Sequence, residues 1–212
     1  FRRVLFRSTQ VTYADVWEYW LKYPKIKEVT DFVTIHILPY WEDDPMEITS
    51  AIKHLADVRH EVEGILKTSN ILIGETGWPS EGRMREDAAP SKINQAIYIR
   101  DFVKLANEHN WQYNIIEAID QPWKRKSEGA VGGFWGIFDK DRADKNVFSG
   151  DVSNFPNYLY LAFGSLVLRT TSFVIVIVLF LYFGRSNIIS NIISSRIDLN
   201  PLAPVFLMMA SF

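Results

Sequence analysis

The stretch Asn70–Gly82, NILIGETGWPSEG, decides how this chain is read. Ile71–Gly74 is an apolar run of strand length, expected to be buried on both faces. Glu75 follows where the strand meets its loop, Gly77 and Pro79 tighten the turn, and Trp78 sets a broad apolar surface beside the acid. A carboxylate at the mouth of a buried strand, next to an indole, suits a sugar-cleaving site, which needs a nucleophile and a platform for a pyranose ring.

Composition narrows the alternatives. The 212 residues are 48% hydrophobic and 14% aromatic, enough for a sizeable core. Cysteine is absent, which excludes disulfides, thiolate metal sites and a cysteine nucleophile but leaves the compartment open. A formal net charge of -2 carries no nucleic-acid signal. His36, His54, His60 and His109 are scattered, the pair in one helical run is six apart, and HExxH is missing, so neither a metal nor a cofactor is expected. Residues 1–10 begin with the basic FRRVLFRS, lack an apolar signal core, and read as a linker or fragment edge.

Around the central stretch a β-then-α rhythm recurs. Val11–Ala14 is a short strand candidate, Asp15 a cap, and Val16–Leu21 an aromatic helix ending near Pro24. Phe32–Leu38 is a β-branched strand that runs into PYWEDDP. Glu47–Leu66 carries Ile48, Ala51, Ile52, Leu55, Val58, Val62, Ile65 and Leu66 at helical steps. Ser91 is expected to cap Lys92–His109, with Ile93, Ala96, Ile97, Phe102, Val103 and Ala106 turned inward. Tyr113–Ile119 is the last strand, followed by DQPWKRKSEG and the glycine-rich aromatic GGFWGIFD.

Near-continuous apolar strands alternating with one-sided helices indicate a parallel sheet covered by helices. No glycine-rich phosphate loop follows the first strand, and chemistry-bearing residues cluster after each strand: Asp15 and Trp17, Tyr40 and Trp41, Glu75 and Trp78, then Glu117, Gln121, Trp123 and Lys124. A (β/α)8 TIM barrel gathers such ends on one face, so the fold expected is α/β of that kind. A whole barrel takes about 250 residues and eight strands. Residues 11–156 therefore read as its C-terminal half.

The character changes beyond Pro156. Residues 157–185 contain TSFVIVIVLFLYF and read as a transmembrane segment in which Arg169 snorkels. Residues 186–198 are a short loop, and residues 199–212 start a second apolar, transmembrane-like run. Arg185 and Arg196 mark the cytoplasmic side, which puts Glu75 on the extracytoplasmic side of the inner (cell) membrane.

Glycoside cleavage takes two carboxyl groups. Glu75 is one. Glu117 is either its partner or a residue that orients it or holds a sugar hydroxyl; Asp120 and Asp15 are weaker candidates, and Asp43 and Asp44 read as a solvated turn. Trp17, Tyr40, Trp41, Trp78, Trp123 and Trp135 are candidates to stack on sugar rings, and Lys124 to bond a hydroxyl or Glu75.

IGETGWPSEG resembles the signature of glycoside hydrolase family 17, in which a Glu–Thr/Ser–Gly–Trp–Pro run carries the nucleophile. LPYWED, IIEAIDQPWK and GGFWGIFD are similar to family segments in the same order, so the resemblance covers about Val11–Pro156. It implies a barrel acting on β-1,3-glucan with retention of configuration, with Glu75 as nucleophile and Lys124 at a family lysine. Tyr40, Trp41, Trp78, Glu117, Gln121 and Trp123 would bind substrate. Gln121 stands where plant members usually have an acid. The family's general acid is a Glu after Asn at the fourth strand, and the pair Asn107–Glu108 falls inside a helix, so the acid is expected outside this chain and these residues alone are expected to be inactive. With the apolar tail, the whole resembles membrane-anchored members of bacterial type, associated or fused with a glycan synthase. Hydrolysis, transglycosylation in a membrane glucan-synthesis system, and non-catalytic glucan binding all remain readings at this point.

Overall fold

A computed structural model describes residues 8–185. The second apolar run at 199–212, the loop at 186–198 and most of the basic start lie outside the described residues. Two compact units divide between Asn154 and Phe155.

The first unit is built on a four-stranded parallel sheet of order β1-β2-β3-β4. Its strands are β1 (Ala14–Val16), β2 (Val33–His36), β3 (Ile71–Thr76) and β4 (Gln112–Ile115). Between them run α1 (Trp17–Lys22), a 3-10 turn at Pro24–Val29, α2 (Ile48–Leu66) and α3 (Lys92–Glu108). After β4 come a 3-10 turn at Pro122–Lys124, the single-turn helix α4 (Arg125–Glu128) and a further 3-10 turn at Ala130–Gly133.

The β1 strand begins three residues later than its sequence suggests, because Val11 is tied to Asp31 through both its N–H and its carbonyl. Asp15 is therefore a strand residue, and the start of α1 has no side-chain cap. Trp20, fully buried, anchors α1 by donating its indole N–H to the Thr34 carbonyl at 2.7 Å.

Burial on β3 alternates. Ile71 and Ile73 are sealed on the face shared with the helices, while Leu72 and Gly74 are half-buried. Gln112 and Asn114 of β4 are exposed. Among the described residues the helices thus cover one face of the sheet, and burial on both faces, expected from the apolar run, is met on one.

Ala51, Leu55, Val58, Val62 and Leu66 of α2 enter the core, while Ile65 turns outward. Arg59 also lies on the inner face, held by Glu63 at 2.6 Å and stacked over Trp111 at 4.6 Å. Ser91 caps α3 by accepting the Asn94 N–H at 3.0 Å. Its inner face is Gln95, Ala96, Tyr98, Ile99, Phe102 and Ala106; Ile93 and Ile97 are exposed, contrary to their apolar character. Tyr98 and Gln95 take the inner positions because each finds a partner there. Tyr98 shares a 2.6 Å hydrogen bond with the Thr76 hydroxyl, and Gln95 donates its amide to the Trp135 and Gly136 carbonyls.

The last predicted strand keeps its ladder with β3 only to Ile115. From Glu117 to Asp120 the chain pairs instead with Trp135–Phe138 of the aromatic stretch, through Glu117 N–H to Trp135, Ile137 N–H to Glu117 and Asp120 N–H to Phe138.

The second unit contains α5 (Tyr158–Arg185). Tyr158–Tyr182 is 25 residues long with mean hydropathy 2.2, long and apolar enough by length and composition to cross a membrane.

Candidate active site

All four strands run parallel, so His36, Thr76, Ile115 and the segments after them open at one end of the sheet. A register irregularity prepares this end. Ile35 lies opposite Ile73, but His36 lies opposite Glu75, so β3 carries one more residue than β2 at Gly74. The same excess appears against β4, where Ile73 faces Tyr113 and Thr76 faces Ile115. An extra residue of this kind re-aims the side chain after it. Here that side chain is Glu75, 43% exposed, with its Oε2 3.4 Å from Nδ1 of His36.

Glu117, with its side chain 12% exposed, is the centre of a second polar group. Its Oε2 accepts from Lys124 Nζ and from Gln121 Nε2, each at 2.6 Å, while its buried Oε1 has no protein partner. Glutamine at 121 suits this contact, since its amide donates where an ionised acid would repel the Glu117 carboxylate. Lys124 is thus spent on Glu117, not on Glu75. That oxygen is sealed from solvent, so among the described residues the Glu117 carboxylate is held from one side only.

The aromatic residues sort by exposure. Tyr40 is buried, touching the rings of Trp41, Trp78 and Trp135 edge-on, and its hydroxyl donates to the Arg83 carbonyl at 2.7 Å. That burial raises its phenol above the ordinary range. Trp78 has no exposure, packs against Tyr98 and donates to the Ala89 carbonyl. Trp135 is also buried. These three rings cannot stack on a sugar, because their faces are occupied and any further chain adds cover; the expectation that Tyr40 and Trp78 meet substrate is corrected on this ground. They back Trp41, which lies nearly parallel to Trp135 at 6.4 Å and is 41% exposed. Trp123 is 67% exposed. Trp17 is half-buried, its indole N–H directed to the Glu42 carboxylate at 3.2–3.3 Å.

Trp41 separates two hollows. One, about 230 Å³, lies between Trp17, His36 and Trp41 with Glu18, Glu42 and Asp43 on its wall. The other, about 450 Å³, lies between Tyr40–Trp41, Arg83–Glu86 and Glu128–Val131. Arg85 fixes the partition by donating to the Tyr40 and Glu42 carbonyls, with its guanidinium over the Trp41 ring.

Other acids are committed elsewhere. Asp120 is bonded to Lys145 at 2.7 Å and to the Gly136 N–H at 2.8 Å, both ion-pair side chains being 7% exposed. Lys145 also donates to Ser80 Oγ at 2.9 Å. Asp15 accepts from the Tyr13 hydroxyl and the Val16 N–H, contacts that hold its carboxyl below the usual range. Neither matches the demands on a proton donor to a leaving group. No cluster of three or more metal-ligating side chains occurs among the described residues.

His36 and Glu42 were not read as site residues in the sequence. Periodicity marks His36 only as a strand end, and its meeting with Glu75 depends on the Gly74 irregularity. Glu42 appears as one acid in a charged turn; its link to Trp17 crosses between segments.

Residues 2–136 match the family model described as the BtgE/BtgC glycoside hydrolase domain. The chain is 28% identical over 120 residues to a glucan 1,3-beta-glucosidase of Saccharomyces cerevisiae, an alignment that spans 52% of this chain and 37% of that protein. It is 31% identical over 111 residues to a probable beta-glucosidase btgE of Aspergillus fumigatus, spanning 52% of this chain and 19% of that protein. Its structure is similar, at TM-score 0.61 and 25% identity, to an active-site mutant of Rhizomucor miehei beta-1,3-glucanosyltransferase in complex with laminaritriose. That match covers 71% of this chain and 54% of the other.

Proposed function

This chain belongs to the BtgE/BtgC glycoside hydrolase family, and from that premise we propose that its first unit is part of a retaining enzyme acting on β-1,3-glucan. The observation that carries the reading is Glu75: a carboxylate accessible at the carboxyl end of a parallel sheet, turned there by an extra residue in β3. The relatives named for 1,3-glucan and the laminaritriose complex support the substrate class. The sheet is proposed as part of a (β/α)8 barrel, its C-terminal half, since the chain spans 54% of the similar solved structure and less of the curated relatives.

Glu75 attacks the anomeric carbon as the glycosidic C–O bond breaks, and the leaving oxygen takes a proton from the general acid. The same acid, now a base, deprotonates either water or a sugar hydroxyl, which attacks the glycosyl-enzyme ester and releases Glu75 as a carboxylate. Water gives hydrolysis; a sugar acceptor gives transglycosylation. The acid is assigned to the length of the relatives that this chain does not span. Trp41 and Trp123 supply faces for sugar rings, and Glu117, held by Gln121 and Lys124, fixes the polar floor beside them.

Membrane attachment through α5 is the second part of the proposal, with the Glu75 unit on the extracytoplasmic side of the cell membrane and a glycan synthase as associated or fused partner. The length and hydropathy of α5 support the anchor. The bacterial type rests on sequence resemblance alone, the relatives named above being fungal.

The test is Glu75→Gln in the intact protein, assayed on laminari-oligosaccharides for reducing-sugar release and for transfer products. Both should fall by at least about 10³-fold. Retained turnover would overturn the catalytic reading and leave glucan binding without chemistry. Alkaline extraction of membranes should leave the protein in the pellet; release to the supernatant would refute the anchor.

A further inference from the structure

We propose that His36 is a positioning residue for Glu75, holding Oε2 so that Oε1 is the atom that meets the anomeric carbon. The inference rests on the nucleophile reading above and adds to it which oxygen attacks and what aims it.

Three observations on the β2–β3 pair converge. The extra residue at Gly74 brings Glu75 into register with His36, the last residue of β2. Gly74 also makes room for the imidazole. A Cβ there would stand 3.1 Å from both Cδ2 and Nε2 of His36, and 2.5 Å from the Thr34 methyl. With that edge of the ring over a residue that has no side chain, Nδ1 is left facing Glu75 Oε2 at 3.4 Å. Unlike Glu117, whose Oε2 is held by Lys124 and Gln121, Glu75 has no closer side-chain donor among the described residues.

An unheld carboxylate rotates about its terminal torsion, which is broad. The 3.4 Å contact lies within ion-pair range without the alignment of a hydrogen bond; a small turn of either side chain closes it when Nδ1 carries a proton, and the torsion is then biased so that the second oxygen is the one presented. The side chain of His36 is 20% exposed and lines the smaller hollow beside Trp17 and Trp41.

The test compares three substitutions in the intact protein. His36→Asn places an amide nitrogen where Nδ1 stands, His36→Gln places one where Nε2 stands, and His36→Ala removes the donor. If His36 aims the nucleophile, Ala and Gln lower kcat by about 10²-fold with KM within about twofold, the size expected for a misplacement of about 1 Å. Asn stays within about tenfold of the parent. Covalent labelling of Glu75 by an epoxyalkyl β-1,3-oligoglucoside should slow in the same order.

His36→Ala with kcat within threefold of the parent overturns the proposal. So does an equal loss in Asn and Gln when both unfold at the parent's temperature. Should the Ala variant fail to fold, the Asn–Gln contrast decides. Glu75→Gln run alongside separates the two levels: if it stays active, the nucleophile reading fails; if it is inactive while His36→Ala is not, only this inference fails.

Discussion

Lys145→Met offers a quantitative probe of what holds the aromatic stretch against the site. Lys145 Nζ bonds Asp120 Oδ1 at 2.7 Å and Ser80 Oγ at 2.9 Å, and the two ion-pair side chains are each 7% exposed. Methionine keeps most of the volume and removes the charge, stranding a buried carboxylate that keeps the Gly136 N–H as its hydrogen-bond partner among the described residues. Breaking a buried pair in this way costs about 3–5 kcal/mol. With a urea m-value of about 2 kcal/mol per molar, the midpoint should fall by about 1.5–2.5 M. The reverse substitution, Asp120→Asn, should cost less, because burial already holds Lys145 below the ordinary lysine value and the amine can shed its proton. The sign of the pH dependence follows. Without Asp120, the folded state penalises the ammonium, while the unfolded chain keeps its proton up to about 10.5. The unfolded state then binds more protons below that value, so stability rises with pH and the deficit of Asp120→Asn narrows as pH rises toward about 10.5. The double variant should cost less than the sum of the singles by at least about 1 kcal/mol. A Lys145→Met cost below about 1 kcal/mol, or additive singles, would refute the reasoning.

Further expectations concern the backbone and acid stability. Gly136→Ala puts a methyl 2.1 Å from the Asp120 nitrogen and 2.4 Å from the Phe138 carbonyl, contacts with backbone that cannot swing aside, so urea unfolding should show a loss of about 3 kcal/mol or more. Gly64→Ala meets nothing within 4 Å inside α2 and should instead add about 0.5–1 kcal/mol in the same assay. Asp139 accepts from the Ala143 and Asp141 N–H groups at 2.8 Å, and the Ala143 bond is the main cause holding its carboxyl below 3.8. Such a group stabilises above its unfolded value and loses that contribution as pH falls through its folded one. The deficit of Asp139→Ala in thermal unfolding should therefore be present at pH 7 and close as the solution is acidified below about 3.8.

How far the sequence revealed this arrangement depended on the kind of signal. Long amphipathic α2 was readable to within one residue at its start, and the Ser91 cap by residue type. The α3 inner face was harder: Tyr98 and Gln95 are amphipathic or polar, and nothing in periodicity says that Thr76 and the Trp135 carbonyl await them. Glu75 was conspicuous through its neighbours in the chain, whereas His36 was not, because register between strands is a property of two segments and a one-residue irregularity is silent in either alone. Trp78 illustrates the opposite error. Adjacency to the acid suggested a sugar platform, but in a strand-to-loop turn the next large ring folds back into the core and leaves the exposed face to Trp41, one loop away.

The strands lie in space in the order in which they occur in the chain, each beside its immediate predecessor. Such a sheet can be assembled by accretion as the polypeptide leaves the ribosome, with β2 docking on β1 before β3 exists and no partner having to wait for a distant segment. The pairing of Glu117–Asp120 with Trp135–Phe138, and of Phe138 in turn with Asp144, must follow, so the stretch beside the mouth of the site joins the ladder after the four strands have been synthesised.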